Sequence, residues 1–548
     1  MASRTDLPTG PPDHASTAPR RDDDAGPGLR VAAAVIGVLF AAPLLFLLVR
    51  NATDGSYWEA TLGTTTLGPL WRSLLLASMV SAATAFVGTA AAWLVVRTDL
   101  PGRRVWRILL PLPLVIPSFI GAFALIAAFS PGGLLVRLLA PLGVTTLPEV
   151  RGLWGAFAVL TLLTYPYVYL PVAARLSQLP PSYEEAARLL GRSPGQVFRQ
   201  VVLPQLRPAV LAGTLLVFLY VVSDFGAVQL LRYDTFAREI YVAWKSFDLE
   251  TGLALSLNLG LLALLVVVLE RIAGRGTRDV SAERSERGLV LPLGRWKPAA
   301  TTAVGALLTL ALAAPVAVLT YWAVRGLTSG SRFASAVAND PGALLVPMLN
   351  TARVSVLAAV VAVVAVLPIA WLAIRYRSRV GTTANVLVVA GFAVPGIALA
   401  LALVFWTLRA GPLRGLYQTE TALILAYVVH FGAQSLRAAE VAVTSVPTRL
   451  GDAARALGAG RTRRLATVEL PLMLPGLAAG GGLVLLSTMK ELPATLLLAP
   501  PGFQTLATRI WADTEGAYLA DASIASLLLI ALSGTLTWFL VIRRSDAL

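Results

Sequence analysis

The stretch Glu185-Ala-Ala-Arg-Leu-Leu-Gly191 is followed after nine residues by Val201 and then by Leu203-Pro204. The same arrangement recurs further along the chain as Asp452-Ala-Ala-Arg-Ala-Leu-Gly458, Val468 and Leu470-Pro471. Acidic, glycine and proline positions match in order and at identical spacing. The match predicts that the chain contains two homologous halves in the same orientation.

A second repeat lies upstream of the first. Ala92-Trp-Leu-Val-Val-Arg97 resembles Ala370-Trp-Leu-Ala-Ile-Arg375, and Pro117 and Pro395 are separated by the same interval as these two motifs. This interval is longer than that between the two loops, because the external loop in between is eleven residues shorter in the second half. Chance similarity in an Ala- and Leu-rich chain is the alternative, but it does not explain the ordered Trp, Arg and Pro matches.

The composition is that of a membrane protein. Of 548 residues, 56% are hydrophobic and 14% are charged, and the mean hydropathy is +0.73. A soluble domain needs more charge to cover its surface. Apolar runs of roughly 20 residues, enough to cross a bilayer core of about 30 Å, recur along nearly the whole chain.

We therefore predict an all-α polytopic membrane protein with about 12 transmembrane helices in two six-helix halves. The predicted domains are a disordered cytoplasmic tail (1–28), a first half (29–270), a cytoplasmic linker (271–297) and a second half (298–548). The tail lacks the layout of a cleaved signal peptide. The predicted spans are 30–49, 73–96, 106–129, 153–174, 209–230, 252–269, 299–323, 352–374, 385–408, 421–442, 473–489 and 522–542.

The loops predict the orientation in the membrane. Arginine clusters at 97–107, 175–199, 271–278, 375–379, 455–464 and 543–544 alternate with loops of low net charge. Because cytoplasmic loops are enriched in Lys and Arg, both termini and the Arg-rich loops are expected in the cytoplasm. The formal net charge of +15 is explained in this way, without nucleic-acid binding.

The repeated cytoplasmic loops have the chemistry of short exposed helices. Ser182 and Glu185 have the spacing of a capping box, which predicts a helix start at Ser182, and Thr448 could cap the second copy. Gly191 suits a left-handed helix end. Pro194 predicts the start of a second short helix that Pro204 ends. Such a loop fits a groove on another protein; the alternative is a pair of amphipathic helices resting on the membrane surface.

These two loops resemble the EAA loop of permeases in binding-protein-dependent ABC importers, and the general resemblance covers most of residues 30–545. It implies a type I importer permease fold, two cytoplasmic ABC ATPase subunits and an external substrate-binding protein. Asp452 replaces the usual Glu, so the two ATPase contacts are expected to be unequal. The resemblance makes the following residues the ATPase-coupling loops: Glu185, Ala186, Ala187, Gly191, Leu203, Pro204, Asp452, Ala453, Ala454, Gly458, Leu470 and Pro471.

The chain is not expected to be an enzyme or to bind a cofactor. Its three Lys residues, Lys245, Lys297 and Lys490, do not follow Gly, so it has no GxxxxGK[ST] phosphate-binding loop. ATP and Mg²⁺ are expected on the partner ATPase. With no Cys and two His, His14 and His430, thiolate sites and HExxH motifs are excluded.

The fused two-half arrangement resembles the iron(III) permease group of this family. Two segments strengthen that resemblance, Ser223–Phe236 and Lys490–Leu498 followed by Gly502-Phe503. The interval between the two repeated loops places Asp224 opposite Glu491. Carboxylates suit a hard cation, and Tyr220, one turn before Asp224, adds a phenol. These three residues are the predicted substrate path, without a defined metal site.

Structural roles remain open for the same residues. Asp224 could cap a helix break near Gly226, and Glu491 could pair with Lys490 or Arg509. The tyrosines at 165, 167 and 169 could line the path or anchor the protein at the interface. His430 is expected to be a packed helix residue.

Other functions also remain open. Within the same importer class the substrate could be thiamine, a polyamine or an inorganic oxyanion such as sulfate. An ion-coupled secondary transporter can also have twelve spans in two halves, although it has no use for paired coupling loops. A membrane-embedded enzyme lacks a plausible catalytic cluster.

Overall fold

The computed structural model describes residues 26–53, 64–274, 290–328, 337, 340–409 and 411–538. Most of the predicted tail (1–28) and of the predicted linker (271–297) therefore lies outside the described residues. Within them the chain is all-α, and the extended backbone pairs only in an isolated bridge between Thr98 and Leu291. The all-α prediction is confirmed.

The first half begins with two long helices, a break and then a series of shorter helices around the first repeated loop. Its helices are α1 (Pro27–Thr53), α2 (Thr64–Arg97), α3 (Arg103–Leu109), α4 (Ser118–Phe129), α5 (Leu134–Leu139), α6 (Gly152–Thr164), α7 (Pro166–Gln178), α8 (Pro181–Leu189), α9 (Pro194–Val197), α10 (Leu203–Ser223), α11 (Gly226–Leu230), α12 (Phe236–Lys245) and α13 (Leu249–Gly274).

The second half repeats this order. Its helices are α14 (Lys297–Leu308), α15 (Ala314–Thr328), α16 (Leu345–Arg375), α17 (Arg379–Ala393), α18 (Gly396–Arg409), α19 (Glu420–Ser445), α20 (Thr448–Ala456), α21 (Arg461–Arg464), α22 (Leu470–Met489), α23 (Pro493–Leu498), α24 (Leu506–Glu515) and α25 (Leu519–Thr537).

The described residues contain 11 helical segments long and apolar enough to cross a membrane, or 12 when a bent pair counts as one span. That pair is α17 and α18, which meet at 105°. A ninth span over 385–408 is therefore broken rather than straight. Pro395 stands at the break, where it lacks the N–H that a continuous helix would use.

The third predicted span, 106–129, is wrong as a single helix. The helix α3 ends at Leu109, a 3₁₀ turn covers Leu112–Val115, and α4 begins at Ser118. Pro111, Pro113 and Pro117 interrupt the hydrogen-bond ladder here. The apolar segment long enough to span is instead Ser118–Leu142. The fifth predicted span, 209–230, also ends earlier, because α10 stops at Ser223.

The two halves interlock through their first long helices. The helix α1 packs against α16, α17 and α18 of the second half, and α15 packs against α4 of the first half. Small residues permit the close approach: a Cβ on Gly37 of α1 would lie 2.9 Å from the Cβ of Ala384 in α17. Helices in lipid associate through such packing of small residues.

The end of the linker is fixed to the first half. The N–H of Leu291 donates to the carbonyl of Arg97 at 2.8 Å, and the N–H of Asp99 donates to the carbonyl of Leu291 at 3.2 Å. The Lys297 ammonium lies 2.7 Å from the Asp99 carboxylate. That hydrogen bond from Lys297 holds the pKa of Asp99 below its usual range. The second half thus starts beside the end of α2.

Candidate substrate cavity and coupling loops

Asp224 and Glu491 occupy equivalent breaks at the ends of α10 and α22. The Asp224 carboxylate accepts a hydrogen bond of 3.0 Å from the N–H of Ala227. The Glu491 carboxylate accepts one of 3.0 Å from the N–H of Ala494. Each side chain therefore caps the short helix that follows it, α11 or α23, by satisfying an N–H that the helix leaves unpaired.

Both carboxylates line one cavity of about 450 Å³. Tyr220 and Tyr167 of the first half and His430 of the second half line it as well. The helix α10 runs 21 residues from the first repeated loop to this cavity, a length of about 30 Å at 1.5 Å per residue. The cavity thus lies between the halves, beside the end of α10 that is remote from α8.

A lysine side chain also lines the cavity. Lys490 lines it and donates a 3.2 Å hydrogen bond to the carbonyl of Leu114 in the other half. Beside it, a Cβ on Gly396 would lie 3.0 Å from Glu491 Oε1 and 3.3 Å from His430 Nε2. The absence of a side chain at Gly396 gives these two groups their room.

Of the structural roles predicted for the two carboxylates, one is confirmed and the other is wrong. The predicted capping role of Asp224 near Gly226 is confirmed by its bond to Ala227. The predicted pairing of Glu491 with Lys490 or Arg509 is wrong. Arg509 pairs with Asp513 at 2.8 Å, and Glu491 is turned toward its own cap.

Some of the predicted tyrosine and histidine side chains line the cavity, and others are buried between helices. Of the three clustered tyrosines, Tyr167 lines the cavity. Tyr165 is fully buried, and its hydroxyl donates to the carbonyl of Leu110 at 2.7 Å; Tyr169 is also buried. The His430 ring packs against Phe431, with centroids 4.4 Å apart, and it lines the cavity too. The expected packing of His430 is therefore accompanied by access to the cavity.

In the described part of the chain, no group of three or more His, Cys, Asp or Glu side chains is placed to hold a metal ion. A cation in the cavity would meet two carboxylates from opposite halves. Each accepts a helix N–H through one oxygen, and Asp224 also accepts a hydrogen bond from the Ser118 hydroxyl; carboxylate oxygens are hard ligands of the kind that such a cation prefers.

An aromatic cluster packs behind the cavity wall. Phe225 lines the cavity, and its ring centroid lies 4.7 Å from that of Tyr241 and 5.3 Å from that of Trp511. Tyr241 belongs to α12 of the first half and Trp511 to α24 of the second. The cluster therefore joins side chains from both halves next to the cavity.

The repeated loops form exposed helices that end as predicted. Gly191 follows α8 with φ +78° and Gly458 follows α20 with φ +81°. The N–H of Arg192 donates to the carbonyl of Ala187 at 3.2 Å, and that of Ala459 to Ala454 at 3.0 Å, which is the bond of a Schellman motif. The predicted left-handed end is confirmed in both copies.

The predicted caps at the other end are wrong. The helix α8 begins at Pro181 and α20 begins at Thr448, and neither has a side-chain cap. Proline at the first helical position needs no N–H partner, so Ser182 lies inside the helix. Pro204 does not end a helix either. One turn of π-helix, Phe198–Val202, leads directly into α10, and the second half repeats this turn at Leu465–Glu469.

The predicted coupling residues divide between exposed positions and positions that join each loop to a long helix. Glu185, Ala186, Asp452 and Ala453 are exposed, Ala187 is buried and Ala454 is half-buried. Exposed leucines stand at the helix ends, with Leu190 at 82% and Leu457 at 88% of full exposure. Leu203-Pro204 and Leu470-Pro471 open the long helices α10 and α22. Each loop therefore presents an apolar tip next to a carboxylate.

Sequence reasoning missed Glu184. Its carboxylate lies 2.9 Å from the Arg97 guanidinium, with side-chain exposures of 4% and 1%. Helical spacing could have indicated the position, because Pro181, Glu184 and Ala187 repeat every three residues and all three are buried. The repeated motif indicated the neighbouring, exposed Glu185 instead.

Comparison with known proteins identifies the family to which this architecture belongs. A family model described as "binding-protein-dependent transport system inner membrane component" matches residues 84–279 and 365–546. The chain belongs to this family. The model matches once in each half, which agrees with the repeat. The permease is thus a multi-pass inner-membrane component of an ABC importer, a class that works with an ATPase and a substrate-binding protein and is not itself an enzyme.

Two relatives span both halves of the permease. It is 30% identical to the Fe(3+)-transport system permease protein FbpB 2 of Haemophilus influenzae, over 91% of this chain and 95% of the relative. It is 26% identical to the probable ABC transporter permease protein y4fN of Sinorhizobium fredii, over 84% of each.

Another relative is shorter. The sulfate transport system permease protein CysT of Salmonella typhimurium is 31% identical over 38% of this chain and 72% of its own length. The similarity to the H. influenzae iron permease thus includes the fused arrangement of two halves, whereas the similarity to this sulfate permease covers less than half of the chain.

Proposed function

We propose that this permease carries iron(III) across the membrane in an importer driven by two copies of a separate ABC ATPase. The observation that carries the proposal is the alignment with the H. influenzae Fe(3+) permease across 91% of this chain. The two carboxylates that meet one cavity from opposite halves support it, because oxygen ligands suit a hard cation. Tyr220 adds a phenol to the same wall.

The coupling role falls to α8 and α20. In each, an exposed carboxylate, small residues and an apolar tip stand before a sharp glycine end. This combination fits a cleft on the ATPase. Leu203-Pro204 and Leu470-Pro471 then join each loop to a long helix that reaches the cavity. ATP and Mg²⁺ are bound by the ATPase, and the permease binds no cofactor.

Both termini lie in the cytoplasm in this proposal. The Arg-rich loops support that orientation. The start of α1 also lies at the end of the bundle that carries the coupling helices, because a Cβ on Gly26 would lie 3.4 Å from the Arg461 guanidinium. The aromatic cluster of Phe225, Tyr241 and Trp511 then closes the cavity on the external side.

Transport proceeds by alternating access. A loaded external binding protein docks on the outer loops, and the ATPase subunits close on ATP and displace α8 and α20. The halves rock against each other, so the cavity opens first outward and later inward. The ion passes between Asp224 and Glu491.

An inorganic oxyanion is the second candidate substrate. Lys490 lines the cavity beside Glu491, and an ammonium attracts anions. The similarity to the sulfate permease CysT points the same way. Thiamine and polyamine import, and ion-coupled secondary transport, find no specific support in the cavity.

Uptake in cells that lack the gene tests the proposal. Cells complemented with the wild-type gene, or with Gly191→Asp plus Gly458→Asp, are supplied with radiolabelled iron(III) or with radiolabelled sulfate. Wild type is expected to restore energy-dependent iron uptake only, and the double variant to restore neither at normal membrane levels. Restoration of sulfate but not iron uptake would overturn the iron assignment and leave the importer class intact.

A further inference from the structure

A buried ion pair anchors the first coupling helix to the membrane domain. Arg97 is the last residue of α2 and Glu184 lies in the first turn of α8. Their side chains are 2.9 Å apart and almost fully buried. Removing either partner would leave the other charge buried and uncompensated, which is strongly destabilising.

The second half keeps the arginine but not the carboxylate. Arg375 corresponds to Arg97, and both donate to the carbonyl of an equivalent residue, Val446 at 2.6 Å and Leu179 at 3.4 Å. The position of Glu184 is taken by Gly451. Without a carboxylate at this position, α20 cannot form with Arg375 an ion pair equivalent to the one between Glu184 of α8 and Arg97 of α2.

Both coupling helices pack against the π-helical turn that follows them, but in the second half that turn carries a buried carboxylate. A Cβ on Gly451 would lie 3.0 Å from Glu469 Oε1, so the π-helical turn before α22 packs directly against α20. Glu469 pairs with Arg464 at 3.3 Å, and both are buried. The equivalent first-half residues are Val197 and Val202, which are buried and apolar. The buried ion pairs therefore differ in place: Arg97 and Glu184 join α2 to α8 in the first half, whereas Arg464 and Glu469 lie within the segment before α22 in the second.

The Arg97 corner has a further contact that crosses to the other half. The carbonyl of Arg97 accepts from the N–H of Leu291, and Asp99, two residues on, binds the N–H of Leu293 and the Lys297 ammonium. The helix α14 begins at Lys297. The end of α2, the first coupling helix and the start of the second half are thus joined at one corner.

We propose that Arg97 and Glu184 are positioning residues that make the first coupling helix move as one body with α2 and with the start of the second half. The second coupling helix follows Val446, whose carbonyl accepts from Arg375 of α16, but Gly451 gives it no carboxylate at the position of Glu184, and we expect it to move relative to α16. The inference rests on the proposed coupling role of α8 and α20. It states that the two ATPase contacts transmit motion by different routes.

Distances between pairs of spin labels test this directly, because the chain has no native Cys. Ser182→Cys with Arg104→Cys reports on α8 against α3, the short helix that packs beside the end of α2. Arg449→Cys with Thr382→Cys is the equivalent pair in the second half. All four positions are exposed. The full permease is measured with its ATPase in lipid nanodiscs, before and after trapping with ATP and vanadate.

The first pair is expected to keep its distance on trapping, while the second pair changes. In Glu184→Gln the first distance should broaden and shift on trapping, and in Glu184→Asp, which keeps the charge, it should stay close to wild type. Arg188→Gln, which removes an exposed charge from the same helix, is the matched control and should leave the first distance unchanged. Glu469→Gln should alter only the second.

The number of ions transported per ATP hydrolysed gives a second readout. A loss of protein stability alone would not change this ratio. In proteoliposomes, Glu184→Gln is expected to raise the ATP hydrolysed per ion transported by about fivefold, the lower end of ordinary coupling between sites. Equal movement of both label pairs in the wild type, or movement of neither, would overturn the proposal. Failure of the ATPase to co-purify with wild type would instead remove the proposed coupling function itself.

Discussion

Asp224 and Glu491 accept the same hydrogen bond, from the N–H three residues further along the chain, at the same distance of 3.0 Å. They belong to different halves of the chain and face one cavity. Each side chain therefore has two roles. It caps the start of a short helix, and it lines the cavity, where it can contact a substrate.

Asparagine and alanine variants separate these two tasks. Asp224→Asn keeps an oxygen that can cap α11 but removes the charge, so the melting temperature should stay near wild type while iron uptake falls. Asp224→Ala also removes the cap, at a cost of about 1 kcal/mol, so both should fall. Glu491→Gln is expected to behave like Asp224→Asn. Unchanged uptake in both amide variants would show that charge at these positions does not serve transport.

The glycine ends of the coupling helices predict a graded effect on transport. Gly191→Ala and Gly458→Ala place a Cβ at the left-handed φ of these positions, which costs about 1–2 kcal/mol and should shift the loop. Uptake is expected to fall in each and further in the double variant, at normal membrane levels. Asparagine tolerates this conformation, so Gly191→Asn and Gly458→Asn are the controls and should retain more transport than the alanine variants.

The contact between α1 and α17 predicts a stability effect outside the site. A Cβ on Gly37 would lie 3.0 Å from the Cα of Ala384, so Gly37→Ala forces the helices apart and should cost about 1–3 kcal/mol. Adding Ala384→Gly should recover most of the loss. In α13, a Cβ on Gly260 meets only Leu44, at 3.8 Å, so Gly260→Ala is the control. Thermal unfolding in detergent compares these three variants with wild type.

The aromatic cluster predicts that access to the cavity depends on Trp511. Ser223→Cys introduces a thiol in the cavity wall. In intact cells, a membrane-impermeant thiol reagent should label it slowly, because Phe225 is packed against Trp511 and Tyr241. Combining it with Trp511→Ala should accelerate labelling. Equal rates with and without Trp511 would mean that these rings do not close the external end.

The repeat in the sequence predicted the architecture because a spacing shared by two halves implies equivalent positions. It placed Asp224 opposite Glu491, and the two line one cavity. The left-handed ends at Gly191 and Gly458 were predictable for a local reason, since glycine is favoured there by its own conformational freedom.

Other features were not predictable because they depend on tertiary contacts or on competing local choices. Pro181, rather than Ser182, starts α8. The apolar run of the fifth span continues past Ser223, but Asp224 turns its side chain to cap the next helix and ends α10. The role of Glu184 requires knowledge that α8 packs against Arg97, which belongs to a helix far earlier in the chain.

The interlocking of α1 with α17 has a consequence for biosynthesis. The helix α1 leaves the ribosome first, yet α17 begins only at Arg379, well into the second half. At about 5–20 residues per second, α1 waits on the order of tens of seconds for this partner. During that time the surface around Gly37 faces lipid or the insertion machinery. Membrane insertion of the first half is therefore completed before its first helix reaches its native contacts with α16, α17 and α18.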